Sequence, residues 1–158
     1  MTEGKPSEEN LDAGGLKFAV LCARFNAGVT ERLLAGALDA LKRSGAAEAD
    51  IYIVKVPGAW ELPSAAKAIA QSKKPDAIVA LGAVIRGDTP HFVYVAGEAA
   101  NGLMDVQLQT SIPVAFGVLT TDTMEQANDR AGGKDGNKGY DAALTAIEMA
   151  NLIRRLRK

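Results

Sequence analysis

Four short, almost unbroken apolar runs, set between longer stretches with a helical repeat, constrain this chain more than any other feature. The runs are Phe18–Ala23, Ile51–Val56, Ala77–Ala83 and Val114–Leu119. A strand with one wet face alternates apolar and polar residues, whereas a strand covered on both faces stays apolar throughout. Between the runs the period changes. Thr30 can cap a helix through Ser44, with Leu33, Leu34, Ala37, Leu38 and Leu41 on one face and Gly45 as its stop. Pro63 fits the first turn of a helix that runs to about Ser72. Thr89 can cap a long helix to about Gln109 with Pro90 at its first position, and Asp122 and Glu125 have capping-box spacing for a short helix ending at Gly132-Gly133. A last helix covers roughly Tyr140 to Arg157.

Strand and helix therefore alternate, and right-handed crossovers between parallel strands put helices on both sides of the sheet. The expected fold is α/β: a flavodoxin-like, three-layer α/β/α arrangement with a four-stranded parallel sheet and helices on both faces. The chain has 158 residues, one domain's worth, which we assign to residues 16–158. Residues 1–15 are polar, acidic and glycine-containing, and are expected to form a mobile tail. Four strands leave two sheet edges to protect, so self-association through an edge or a helical face is expected.

The formal net charge of −1 gives no overall field to draw in nucleic acid or an anionic membrane. The one basic cluster, Arg154, Arg155, Arg157 and Lys158, closes the last helix, where it complements the macrodipole. The single cysteine, Cys22, lies in an apolar run and excludes an internal disulfide; a single histidine, His91, disfavours a zinc site. Without an apolar segment long enough for a signal peptide or a membrane span, the chain is expected in the cytoplasm.

Ligands of open α/β sheets bind beyond the carboxyl ends of the strands. The segments that follow the four runs are Arg24-Phe25-Asn26, Pro57-Gly58-Ala59-Trp60-Glu61, Val84-Ile85-Arg86-Gly87-Asp88-Thr89-Pro90-His91 and Thr120-Thr121-Asp122. They hold the only tryptophan and the only histidine. If Thr89 caps the helix, the free amides of its first turn face the strand ends as an anion site, with His91 beside them to move a proton. The plainer reading of His91 is a structural histidine bonded to a carboxylate. Phe25 and Trp60 can stack on a planar heterocycle or plug gaps beneath their loops. Arg130 and Lys138 flank a glycine-rich stretch, Ala131–Asn137, that can wrap a phosphate or serve as a solvated connection. Asp88 stands where a nucleotide-binding phosphate loop needs lysine, and no Gly-x-Gly-x-x-Gly follows the first strand.

Taken together and in order, several segments resemble one family. They are Arg24-Phe25-Asn26, Pro57-Gly58-Ala59-Trp60-Glu61-Leu62-Pro63, Leu81–His91, Phe116-Gly117-Val118-Leu119-Thr120, Glu125-Gln126-Ala127, Arg130-Ala131-Gly132 and Gly136-Asn137-Lys138-Gly139. From about Lys17 to the last helix the chain resembles the 6,7-dimethyl-8-ribityllumazine synthases of riboflavin biosynthesis. The resemblance implies condensation of 5-amino-6-(D-ribitylamino)uracil with 3,4-dihydroxy-2-butanone 4-phosphate, with no metal or organic cofactor. It implies that Phe25 and Trp60 hold the pyrimidine. Ala59, Glu61, Ala83, Val84 and Ile85 would line the pyrimidine and ribityl pocket, with Phe116 supplied by a neighbouring subunit and Lys138 near the substrates. Asp88 and Thr89, largely through backbone amides, would bind the phosphate with Arg130, and His91 would shuttle protons. The family also implies a homopentamer, in some members twelve pentamers forming a 60-subunit shell. Two rival readings are an inactive lumazine- or flavin-binding homologue and a purely structural shell protein; the presence of His91, Arg130 and the strand-end residues argues against both.

Overall fold

The computed structural model describes residues 11–158. Four parallel strands, β1 (Phe18–Ala23), β2 (Ile51–Val56), β3 (Ala77–Ile85) and β4 (Val114–Thr121), form one sheet in the order β2-β1-β3-β4. Five helices accompany them: α1 (Ala27–Arg43), α2 (Leu62–Ser72), α3 (His91–Thr110), α4 (Met124–Asp129) and α5 (Lys138–Leu156). This is the expected three-layer α/β/α fold.

The apolar strands alternate after all, but between two cores. Phe18, Val20 and Cys22 of β1 pack with Val79 and Leu81 of β3 under α1 and α5. Ala19, Leu21 and Ala23 pack with Ile78 and Ala80 under α2 and α3. Leu33 and Leu41, fully buried on α1, each contribute about 1.5–3 kcal/mol by leaving water. Edge strand β2 is less covered than its composition suggested: Tyr52 and Ile53 are exposed.

Several boundaries differ from expectation for local reasons. Helix α1 begins at Ala27, three residues before Thr30, because Asn26 adopts a left-handed conformation that turns the chain straight from strand into helix. Thr30 is instead fully buried within it. The capping box exists one residue later than expected, between Thr123 and Gln126. Asp122 is otherwise engaged, its carboxylate accepting from Arg86 Nε at 2.9 Å. The glycine-rich stretch after α4 folds into a small antiparallel hairpin, β5 (Ala131–Gly133) and β6 (Gly136–Asn137), with Gly132 and Gly136 at positive φ. Helix α5 starts at Lys138 rather than Tyr140, because the Asn137 side chain accepts from the Gly139 and Tyr140 amides.

The tail expected over residues 1–15 lies outside the described residues as far as residue 10. From Leu11 onward the chain is docked: Ala13 is fully buried, its amide donates to Ser44 O at 2.9 Å, and Asn151 Nδ2 donates to Asp12 O.

Candidate functional site

The loops at the carboxyl ends of the strands are tied to one another. Beyond β1 and β2 the parallel pairing continues, Arg24 N donating to Val56 O and Phe25 N to Pro57 O. Asn26 then reaches across to β3, where its Nδ2 donates to Ala83 O at 2.9 Å. One residue thus turns the chain into α1 and fastens that turn to the next strand. Nothing local in the sequence marks Asn26 for this role, because its partner lies 57 residues away.

After β2 a 3-10 turn, Ala59–Glu61, brings the chain back over the sheet into α2. Ala59 is buried against β3: a Cβ placed on Gly82 would meet Ala59 Cβ and Leu62 Cδ1 at 3.5 Å each, and Ala23 Cβ at 3.6 Å. A Cβ on Gly58 would meet Glu61 Oε1 at 3.5 Å and Phe25 Cβ at 3.9 Å. Phe25, Ala59 and Glu61 are therefore neighbours over the ends of β1, β2 and β3. Phe25 and Trp60 remain 71% and 57% exposed, two large aromatics left open to solvent in the strand-end loops. Neither plugs a gap beneath its loop. Ala83 and Val84 are buried at the end of β3 and Ile85 is partly exposed.

The segment from Arg86 to Pro90 is exposed throughout and leads into α3. The helix starts at His91, so Pro90 occupies the cap position and Thr89 stands one residue outside it. Thr89 Oγ1 accepts from His91 N at 3.4 Å, a long bond that holds this amide loosely, whereas Val93 N donates to Pro90 O at 3.0 Å. His91 itself is exposed at the helix tip.

Over the end of β4 a second group gathers around a cavity of about 300 Å³ lined by Phe92, Thr120, Thr121, Asp122, Gln126 and Arg130. The Arg130 guanidinium is held from behind, Nη1 donating to Gln126 O at 2.9 Å and lying 3.6 Å from Asp135 Oδ2. The β5–β6 hairpin brings Lys138 beside it, with Lys138 N donating to Arg130 O at 2.9 Å. Asp88 and Thr89, on the loop from β3 to α3, and His91, which opens α3, lie between the two groups. Phe116 stands apart from both. It is half exposed on edge strand β4, paired with Ala80 well before the strand end.

A larger cavity of about 620 Å³ lies at the opposite end of the sheet, between the carboxyl ends of α2, α3 and α5. Both of its arginines have local duties: Arg157 Nη2 donates to Ser111 O at the end of α3, and Arg154 pairs with Asp76 at 3.6 Å. The smaller cavity, not the larger, lies at the strand ends that carry the aromatic, imidazole and guanidinium groups. Among the described residues no group of three His, Cys, Asp or Glu side chains is arranged to hold a metal, and no helix is long and apolar enough to cross a membrane.

A parallel sheet that collects exposed aromatics, an imidazole at a helix tip and a braced guanidinium beyond its carboxyl ends defines an α/β enzyme of small molecules. Comparison with known families specifies which. Residues 15–154 match the sequence model of 6,7-dimethyl-8-ribityllumazine synthase, and the chain belongs to that family. It is accordingly a transferase of riboflavin biosynthesis, condensing 5-amino-6-(D-ribitylamino)uracil with 3,4-dihydroxy-2-butanone 4-phosphate.

Proposed function

We propose that the condensation takes place beyond the strand ends with the following division of labour. Phe25 and Trp60 stack on the pyrimidine, while Ala59, Glu61 and the Ala83-Val84-Ile85 strand end shape the pocket for its ring and ribityl chain. Asp88 and Thr89 present loop amides to the phosphate, Arg130 supplies its fixed charge, and Lys138 stands near the bound substrates. His91 moves protons. The observation that carries this reading is the exposure of Phe25 and Trp60 over the same strand ends from which the chain leads into a helix tip whose His91 amide is only loosely engaged. An aromatic pair and the amino end of a helix suit a flat heterocycle and a phosphoryl group respectively.

The chemistry requires positioning and proton transfer more than a protein nucleophile. The 5-amino group attacks the ketone carbonyl, and loss of water leaves an imine. Proton removal from the hydroxyl-bearing carbon of the four-carbon unit expels inorganic phosphate from the carbon beside it, and the enol left behind takes up a proton and tautomerises to a new carbonyl. The ribitylamino nitrogen then closes on the second carbonyl with loss of a second water. Each stage needs a proton delivered to or taken from an oxygen or carbon, which is the task of His91. Phosphate departs more readily where fixed donors stabilise its growing charge, which is the task of Arg130 and the loop amides.

Phe116 supports a site shared between copies of the chain. It is half exposed on the flank of β4, at the edge of the sheet opposite β2, where a neighbouring subunit would meet it. Helix α3 carries Val93, Tyr94, Met104 and Leu108 exposed, and β2 carries Tyr52 and Ile53. Apolar surface of this kind on both a helix and a sheet edge favours a ring of subunits, and we assign the family's homopentamer to this chain. A 60-subunit shell is a further assembly of the same unit. Its expected place is the cytoplasm, where both small-molecule substrates would be met.

Purified protein supplied with both substrates and no added metal is expected to form a fluorescent lumazine, with one phosphate released per product. Intact substrates and no product would favour the inactive binding homologue. Light scattering of the same sample would give five subunits or a multiple of five; a monomer would remove Phe116 from the site.

A further inference from the structure

The loop that carries Asp88, Thr89 and His91 is exposed from Arg86 to Pro90, yet both its ends meet at one side chain. Arg86 begins the loop, and its guanidinium lies 4.5 Å from the ring centroid of Phe92, which ends it in the first turn of α3. The same side chain is anchored from the next strand, Nε donating to Asp122 Oδ1 at 2.9 Å. The backbone amide of Arg86 donates to Thr121 O at 2.9 Å, extending the β3–β4 ladder by one rung. Asp122 is itself fixed, because its amide donates to Gln126 Oε1 at 2.8 Å, within the cap of α4.

We propose that Arg86 and Asp122 act together as a clasp that holds the substrate-binding loop in its working shape, making both of them positioning residues for His91. The proposal deepens the reading of His91 and the loop amides given above and rests on it. Arg86 and Asp122 side chains are 54% and 65% exposed, so solvent screens the pair and it adds little to the stability of the fold. Its value lies in geometry. A planar guanidinium can lie over a ring with its face while its edge pairs with a carboxylate, which an ammonium cannot do. Closing the loop in advance removes freedom that the loop would otherwise lose in each turnover.

The test uses the full assembled protein with Arg86→Met, Arg86→Lys, Asp122→Asn and the double variant Arg86→Met/Asp122→Asn. Each single variant should lower kcat roughly 10-fold, with the pyrimidine dissociation constant and the melting temperature close to those of the parent. Lysine should not rescue, and the double variant should be no slower than Arg86→Met alone, because the two residues act as one unit. A loss confined to Arg86, with Asp122→Asn as fast as the parent or tighter for the phosphorylated ketone, would make Arg86 a direct substrate ligand and overturn the clasp. Unchanged kcat in all four would overturn it too. Amide exchange over residues 93–95 gives a readout independent of turnover. Faster exchange in Arg86→Met is expected, and unchanged exchange would overturn the clasp. A parent protein that makes no lumazine would instead sink the catalytic reading, while the exchange result still decides the clasp.

Discussion

Gly139 of α5 lies directly against the backbone of Leu33 in α1: a methyl group placed on Gly139 would overlap the Leu33 carbonyl oxygen and come within 2.7 Å of its carbonyl carbon. The two helices touch main chain to main chain at the start of α5, next to Lys138 and the hairpin that follows Arg130. Because the obstruction is backbone, no rotamer change relieves it. Gly139→Ala should destabilise the fold by about 3 kcal/mol, at the upper end for overpacking. Gly28→Ala is the control, since a Cβ there meets nothing within 4 Å and alanine is the better helix former. Denaturant midpoints of the two variants should move in opposite directions, and a neutral Gly139→Ala would show that the helices can part at no cost.

Arg130 presents its guanidinium to the smaller cavity while Gln126 O and Asp135 hold it from behind. Hydrogen bonds to a charged group contribute about 1.5–3 kcal/mol each. Arg130→Ala should therefore raise the KM for the phosphorylated ketone by roughly 10- to 100-fold, at about 1.4 kcal/mol per factor of ten. Pyrimidine binding, followed by fluorescence, should change little. Equal weakening of both substrates would remove Arg130 from the phosphate site.

How much of this was legible in the sequence depended on how local the cause was. Strands β1, β3 and β4 declared themselves because burial on both faces favours apolar residues throughout each run, whereas the exposed edge strand β2 was legible from its β-branched residues. Helix starts were less legible. Thr30 has the chemistry of a cap, but Asn26 reached a left-handed turn first, and the capping box slipped from Asp122 to Thr123 because a distant arginine had claimed the aspartate. The hairpin at Ala131–Asn137 was hidden by glycines, which signal a turn without saying what it pairs with. At the site, the chemical types and their strand-end positions were readable. The ties that arrange them were not, since Asn26 to Ala83 and Arg86 to Phe92 exist only once the sheet has formed. The resemblance supplies the role proposed for Phe25 and Trp60, and their exposure excludes the plainer reading as gap fillers.

His91 stands exposed at the tip of α3, with its amide only loosely engaged by Thr89. Removing a general acid-base group typically slows a reaction about 10²- to 10⁴-fold. Because the positioning of two bound substrates survives the change, the lower figure is expected, and His91→Ala should retain about 1% of turnover. Pyrimidine affinity and melting temperature should hold. A rate equal to that of the parent would leave His91 a surface residue without a chemical task.

Cys22 makes a prediction about the fold rather than the site. It is fully buried in β1, and burial pushes its thiol above the ordinary range, against the smaller opposing pull of Lys55. In the unfolded chain the same thiol ionises in its usual range. Above that range the unfolded state holds fewer protons than the folded state, so stability is full below it and falls as pH rises towards the folded value. The urea midpoint should thus decline on the alkaline side more steeply for the parent protein than for Cys22→Ala, which has nothing to ionise. Iodoacetamide at pH 8 should leave native Cys22 unmodified and label it after denaturation, because alkylation requires both the thiolate and access. Rapid labelling of the native protein would mean that β1 opens, and with it the strand whose carboxyl end carries Phe25.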